Sequence, residues 1–151
     1  MLHLSKKLLL AIEAVLDIAY NAGSLPVQST EITRRQGIPR RYLEPVLQQL
    51  VRAGVLTGVR GPRGGYRLAR ERRRITIGEI VRVVQALERA EDANGRNSGH
   101  QLGVKVVRPL WHELRQEVMG RLDQLTIDDL CQRAHRAGIP GEFDAKLDFT
   151  I

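Results

Sequence analysis

Apolar residues recur at helical spacing from the start of the chain. Leu8, Ile12, Val15 and Ala19 form one stripe, widened by Leu9, Leu16 and Tyr20, and predict a helix over Ser5 to Ala22. Gly23 and Pro26 stop it. Ser29 or Thr30 can cap a short second helix ending near Gln36, with Gly37 as its stop. The stretch from Gly37 to Arg40 leads into a third helix, with Pro39 in its first turn, where a missing N–H loses no partner. Leu43, Val46, Leu47 and Leu50 are its buried stripe and Gly54 ends it.

The pattern then changes. Val55 to Arg60 and Tyr66 to Ala69 read as strands around the turn Gly61-Pro62-Arg63-Gly64-Gly65. Thr76 to Glu79 reads as a capping box, opening a helix with Ile77, Ile80, Val84 and Leu87 on one face. Residues 91–103 are polar and rich in Gly and Asn, and are expected to form a flexible loop. Val104, Val107, Trp111, Leu114, Val118, Leu122 and Leu125 follow in steps of three and four, close to a heptad seam. Such a helix reaches about 30 Å, longer than so small a domain needs for itself. Pro109 must lie in its first turn or kink it. Thr126 to Asp129 resembles a second capping box, before a last short helix to about Arg136. Gly138 to Gly141 ends regular structure, and a loose tail is expected over 138–151, most of all from Glu142.

Two short helices joined by a glycine-containing turn, under a longer first helix, make a helix-turn-helix, and the hairpin after it is a wing. The predicted fold is mainly α with a small β-hairpin: a winged helix-turn-helix plus a long dimerisation helix. The expected units are a DNA-binding domain over 1–90, the loop over 91–103, the dimerisation and terminal helices over 104–137, and the tail.

Composition narrows the class. Aromatic residues are scarce, at 4%, so the core must rest on Leu, Ile and Val. No apolar run approaches the roughly 18 residues of a membrane span. Glu13 and Asp17 interrupt the apolar N-terminal stretch, which excludes a signal peptide and leads us to expect a cytoplasmic protein. The single cysteine, Cys131, excludes an internal disulfide framework and a cage built of cysteines alone.

Charge gives the first functional signal. Between Arg34 and Arg74 lie twelve arginines, no lysine and two acids, hence +10 in a chain whose total is +7. A surface chosen for solubility would mix signs and include lysine. Arginine alone points to phosphate and base-edge contacts, through a planar, weakly hydrated fork.

The residues Val59-Arg60-Gly61-Pro62-Arg63-Gly64-Gly65-Tyr66-Arg67-Leu68-Ala69 resemble the wing signature of a known family. Gln36-Gly37-Ile38, Tyr42-Leu43-Glu44, Ile75 to Ile80 and Thr126 to Leu130 follow its order. On these segments the chain resembles, over roughly residues 1–136, the IscR/NsrR-type (Rrf-two) family of bacterial winged-helix transcriptional regulators. The resemblance implies a homodimer paired through Val107, Trp111, Leu114, Val118 and Leu122. It implies double-stranded DNA as partner, with the third helix in the major groove, each wing in the minor groove, and a pseudo-palindromic operator matching the protein two-fold. Repression is the expected outcome.

The resemblance implies DNA contacts by Arg41, Glu44 and Arg60, and Arg40, Tyr42, Gln48, Arg63, Gly64, Gly65 and Arg67 are the further candidates on the same elements. Arg41 can fork onto guanine or grip a phosphate, and Glu44 can accept from cytosine N4. Arg60 and Arg63 suit a narrow minor groove. Gly64 and Gly65 let the backbone approach without a Cβ. Plainer roles stand beside these: Glu44 can pair with Arg40 or Arg41, Tyr42 can simply pack, and Arg70, Arg72, Arg73 and Arg74 can solvate a loop or meet phosphate. Pro39 and Pro45 depart from the family pattern. Pro45 removes a hydrogen bond inside the recognition helix and shifts specificity towards Arg41, Glu44 and Gln48.

A larger departure concerns metal. Many members hold an iron–sulfur cluster with three cysteines in the loop before the long helix. Here the segment from Glu91 to Lys105 has none, although Glu91, Asp92 and His100 are present. No cofactor or metal is therefore expected, and an effector, if there is one, is unknown. His3, His100, His112 and His135 are scattered, no nucleophile elbow or phosphate loop is present, and no enzymatic activity is expected. The alternatives are an iron–sulfur or thiol redox sensor using Cys131, and a winged helix that serves a protein partner.

Overall fold

A computed structural model of the chain describes residues 5–91 and 100–142. Helix α1 (Lys6–Tyr20) starts where Ser5 Oγ accepts the Leu8 N–H at 3.1 Å. Its buried face is Ala11, Ala14, Val15, Ile18 and Ala19, shifted from the expected stripe: Leu8, Ile12, Leu16 and Tyr20 are only partly buried and Leu9 is 44% exposed, because the four other helices close on the small residues. The small residues in that face let the neighbouring helices approach closely.

Helix α2 (Ser29–Gln36) and helix α3 (Arg40–Arg52) form the helix-turn-helix. The cap of α2 lies one residue before the expected Ser29 or Thr30. Gln28 takes that place, and Glu31 accepts its backbone N–H at 2.8 Å. A carboxylate at the third helical position reaches back further than a hydroxyl, so the helix starts earlier. Gly37 closes α2 at φ 68°, a left-handed turn that a side chain would strain. Leu43, Val46, Leu47 and Leu50 of α3 are buried as expected, and α3 runs through Pro45.

Strands β1 (Leu56–Val59) and β2 (Gly65–Leu68) pair antiparallel in the register Leu56 to Leu68 and Val59 to Gly65. The wing has a further edge. Val27 and Tyr66 exchange two backbone hydrogen bonds, at 2.9 and 2.7 Å, so the segment before α2 is stitched to β2. A 3₁₀ turn (Arg72–Arg74) leads to helix α4 (Ile77–Glu91). The expected capping box there is half formed. Thr76 Oγ1 accepts the Glu79 N–H at 3.2 Å, but the Glu79 carboxylate turns to Arg70. An ion pair outweighs a single backbone donor for that side chain.

The long helix begins earlier than the expected Val104, at Gln101. It passes through a π-helical turn at Gly103–Val107 before helix α5 (Arg108–Leu122). Pro109 follows directly, and with no N–H to offer it interrupts the regular ladder where the wider turn is found. Helix α6 (Ile127–Arg136) carries the complete capping box: Thr126 and Asp129 bond each other's backbone N–H at 3.1 and 2.9 Å. Backbone bonds from Ile77 to Leu125 and from Ile127 to Ile75 tie the starts of α4 and α6 together.

One core joins these elements, from Ile18 and Ile32 through Leu43, Leu47 and Ile80 to Ile127 and Cys131. Each fully buried Leu or Ile there contributes about 1.5–3 kcal/mol. The chain after α6 is not loose at 138, as expected, but stays docked to residue 142. Gly141 is buried, the Tyr20 hydroxyl donates to the Ile139 carbonyl, and Glu142 pairs with Arg34 and Arg35. The expected mobile loop falls mainly on 92–99 and the rest of the tail on 143–151, outside the described residues.

Candidate nucleic-acid interface

The amphipathic pattern of α3 decides what faces out. With Leu43, Val46, Leu47 and Leu50 inward, Arg40, Arg41, Tyr42 and Gln48 are exposed and Glu44 is half-exposed. Arg40 Nε lies 2.6 Å from Glu44 Oε1, one helical turn on. Glu44 thus meets the plainer expectation, a pair with Arg40, and is held in one orientation by it. Tyr42 is not packed into the protein. It is 53% exposed, and the Arg41 guanidinium lies over its ring, 4.7 Å from the centroid. That stacking leaves the Arg41 fork free at its edges.

The wing stands beside this face. A cleft of about 590 Å³ separates them, lined by Arg40 and Glu44 from α3, Arg60, Gly64 and Tyr66 from the wing, and Gln28. Burial pushes the Tyr66 hydroxyl up from its usual pKa, and the nearby Glu44 carboxylate adds to the shift, so it stays a neutral donor. Arg60 and Arg63 are exposed on the wing.

The two wing glycines are required by the wing itself. A Cβ on Gly64 would meet the Val59 carbonyl at 2.2 Å, and one on Gly65 would meet the Val27 carbonyl at 2.4 Å. Arg67 is turned away from this face. Its Nη2 donates to the Ser24 carbonyl at 2.7 Å and fastens the link between α1 and α2. Ser29 and Thr30, at the start of α2, also line the cleft. The sequence marks them only as caps. Their polar, N-terminal position on the first helix of the motif is the signal that could have placed them here.

The seam expected on the long helix divides in two. Val107, Trp111, Leu114 and Val118 are exposed, with Trp111 at 48%, whereas Leu122 packs on the chain's own core. Leu122 lies at the end of α5, where Met119 and Leu125 also turn inward.

Comparison with known proteins converges on one family. Residues 4–133 match the model of the Rrf2 family, described as an iron-dependent transcriptional regulator. The HTH-type transcriptional regulator IscR of Photobacterium profundum is 33% identical over 147 residues, covering 97% of this chain and 85% of that protein. The structure of T. potens IscR aligns with a TM-score of 0.73 at 30% identity, covering 94% of this chain and 95% of that one. The global cysteine regulator CymR of B. subtilis aligns at 0.70 and 28%, covering 88% and 98%.

The family description names iron, and the donors here do not fit a thiolate-held cluster. Cys131 is the one cysteine. It is 4% exposed in α6, and burial pushes its thiol pKa up, away from the thiolate that a metal needs. Among the described residues no three His, Cys, Asp or Glu side chains come together in a metal-holding group. The fold, the basic face built by α3 and the wing, and these relatives lead to one conclusion: the chain belongs to the Rrf2 family of DNA-binding transcriptional regulators.

Proposed function

We propose that the protein binds a pseudo-palindromic operator as a homodimer in the cytoplasm and represses by occluding the promoter. One observation carries this: α3 and the wing converge on a single cleft with Arg40 on one wall and Arg60 on the other. A protein-docking helix would expose apolar anchors at its centre instead. Arg41, Glu44 and Gln48 read base edges in the major groove, and Arg40 orients Glu44. Tyr42 backs Arg41 by stacking. Arg60 and Arg63 enter the minor groove or grip its phosphates, while Gly64 and Gly65 set the wing's backbone close to the duplex. Arg67 acts indirectly, by fixing the strand that carries them.

Dimerisation follows from the π-helical turn and α5 together. Val107, Trp111, Leu114 and Val118 recur in steps of four, three and four and are exposed, so a second copy of the same helix covers them. Among the described residues no helix is long and apolar enough to cross a membrane.

The test is a selection of genomic fragments by the purified protein against excess competitor DNA. Enrichment of a two-fold-symmetric motif is expected. With about 6–10 phosphates contacted, affinity should fall roughly 10³–10⁵-fold between 50 and 200 mM salt. No enriched motif together with a flat salt response overturns the reading in favour of a protein partner.

A further inference from the structure

The arginine run after the wing, open in sequence to solvation or to phosphate, lines a second cleft. Its volume is about 940 Å³, and it lies between the end of α1, the end of β2 with the 3₁₀ turn, and α6. No residue of α3 and none of the wing loop lines it. Its floor is apolar, with Ala19 and Cys131 buried.

Its guanidiniums divide into two kinds. Arg72 is fixed by Asp128 at 2.8 Å, and Arg70 by Glu79. Arg73 and Arg136, from facing walls, have no ion pair among the described residues; Arg136 reaches only the Gln132 side chain, at 3.5 Å. His135 stands beside Arg136, and Glu71 is the acid among the lining residues. Two uncommitted guanidiniums over an apolar floor suit a small molecule with charged ends and a carbon skeleton.

We propose that this cleft binds a small organic anion bearing carboxylate or phosphate groups, held by Arg73 and Arg136, as the regulator's effector. A physical connection to the DNA-binding face is present. Tyr20, on the cleft wall, donates its hydroxyl to the Ile139 carbonyl, just past the end of α6. Three residues on, the Glu142 N–H donates to Asn21 Oδ1 at 2.9 Å, and its carboxylate pairs with Arg34 and Arg35 of α2, each at 2.9 Å. An anion that draws on Arg136 acts where α6 runs into this strap, and the strap ends on the first helix of the helix-turn-helix.

The test is calorimetric titration of the full chain with citrate, and separately with inorganic phosphate, at ionic strength matched with sodium chloride. Saturable binding of one probe per chain is expected, and the probe that binds identifies carboxylate or phosphate as the recognised group. Arg73→Gln/Arg136→Gln should weaken it about tenfold or more, as expected for lost charge-assisted hydrogen bonds, with the thermal midpoint of the free protein unchanged. Binding of neither probe overturns the proposal, as does equal binding by the variant. If neither probe binds and the variant loses DNA affinity, these arginines belong to the phosphate backbone instead. The titration contains no DNA, so its failure is distinct from failure of the operator reading.

Discussion

Arg35 reaches from α2 to grip Asp17 of α1 with two nitrogens, at 2.9 and 2.8 Å. The Asp17 carboxylate is fully buried, and Gln36 donates to it as well, at 2.7 Å. The pair raises the Arg35 pKa above its ordinary value, mainly through the hydrogen bond to Asp17. This contact adds to the short apolar face of α2, where Ile32 is the buried residue, in holding α2 on α1.

Asp17→Ala leaves a guanidinium mostly buried without its main partner. Breaking a buried pair from one side costs about 3–5 kcal/mol, a large part of the stability of a domain this size. The urea midpoint should fall accordingly. Glu142→Ala removes the two partly exposed pairs with Arg34 and Arg35, each worth only about 0.2–1 kcal/mol. Equal losses for the two variants would show that Asp17 is not the principal anchor of α2.

Gly65→Ala drives a methyl group into the Val27 carbonyl, which is backbone and cannot swing aside. The wing should detach from the segment before α2, at a cost of about 1–3 kcal/mol. DNA affinity should drop while helical circular dichroism is retained. Unchanged affinity would mean that the wing's placement does not matter for binding.

Arg60→Ala should weaken binding to every sequence and lower the salt slope by about one. Glu44→Gln keeps the side-chain shape but releases Arg40. It should relax base preference at one position of each half-site, by about 1–3 kcal/mol of discrimination. A selection repeated with each variant separates a loss of affinity from a loss of specificity.

Val118→Arg places a charge on the exposed seam of α5 and should convert dimer to monomer in sedimentation. Leu122→Ala acts differently, because Leu122 packs on its own chain's core. Because Leu122 is only partly buried, the substitution should lower stability by less than the roughly 2–5 kcal/mol of a full core truncation. A dimer that survives Val118→Arg would place the interface elsewhere.

Acid should weaken the contact between α4 and the end of α5, and the cap of α6. The Asp129 carboxyl is held below its usual pKa, first by the Thr126 backbone N–H and then by the Thr126 hydroxyl. The Asp123 carboxyl is held down chiefly by Arg82, which donates to both its oxygens at 2.7 Å. A carboxyl depressed in the folded state stabilises above its unfolded pKa, and that contribution is lost as pH falls through the folded one. Stability should therefore decline below about pH 4. In Asp123→Asn/Asp129→Asn the decline should be shallower, as followed by thermal melts across that range.

Features that depend on neighbours along the chain are legible in the sequence. Helical periodicity in α3 and α4 showed which faces turn inward, because residues three and four apart share a face whatever lies opposite. Gly37 and the Gly64-Gly65 pair placed the two turns, since few other residues fit there. Twelve arginines in one block pointed to DNA before any fold was known. The tertiary structure alone decided the contacts between distant segments. Val27 paired with Tyr66, Asp17 with Arg35, Arg67 with Ser24, and Glu142 with α2, and each removed or assigned a group whose role the sequence left open. It also set Arg40 and Arg60 on one cleft and Arg70, Arg72 and Arg73 on another. No periodicity carries such information, because a salt bridge across 18 or 108 residues depends on where the packed core brings two side chains and not on their spacing.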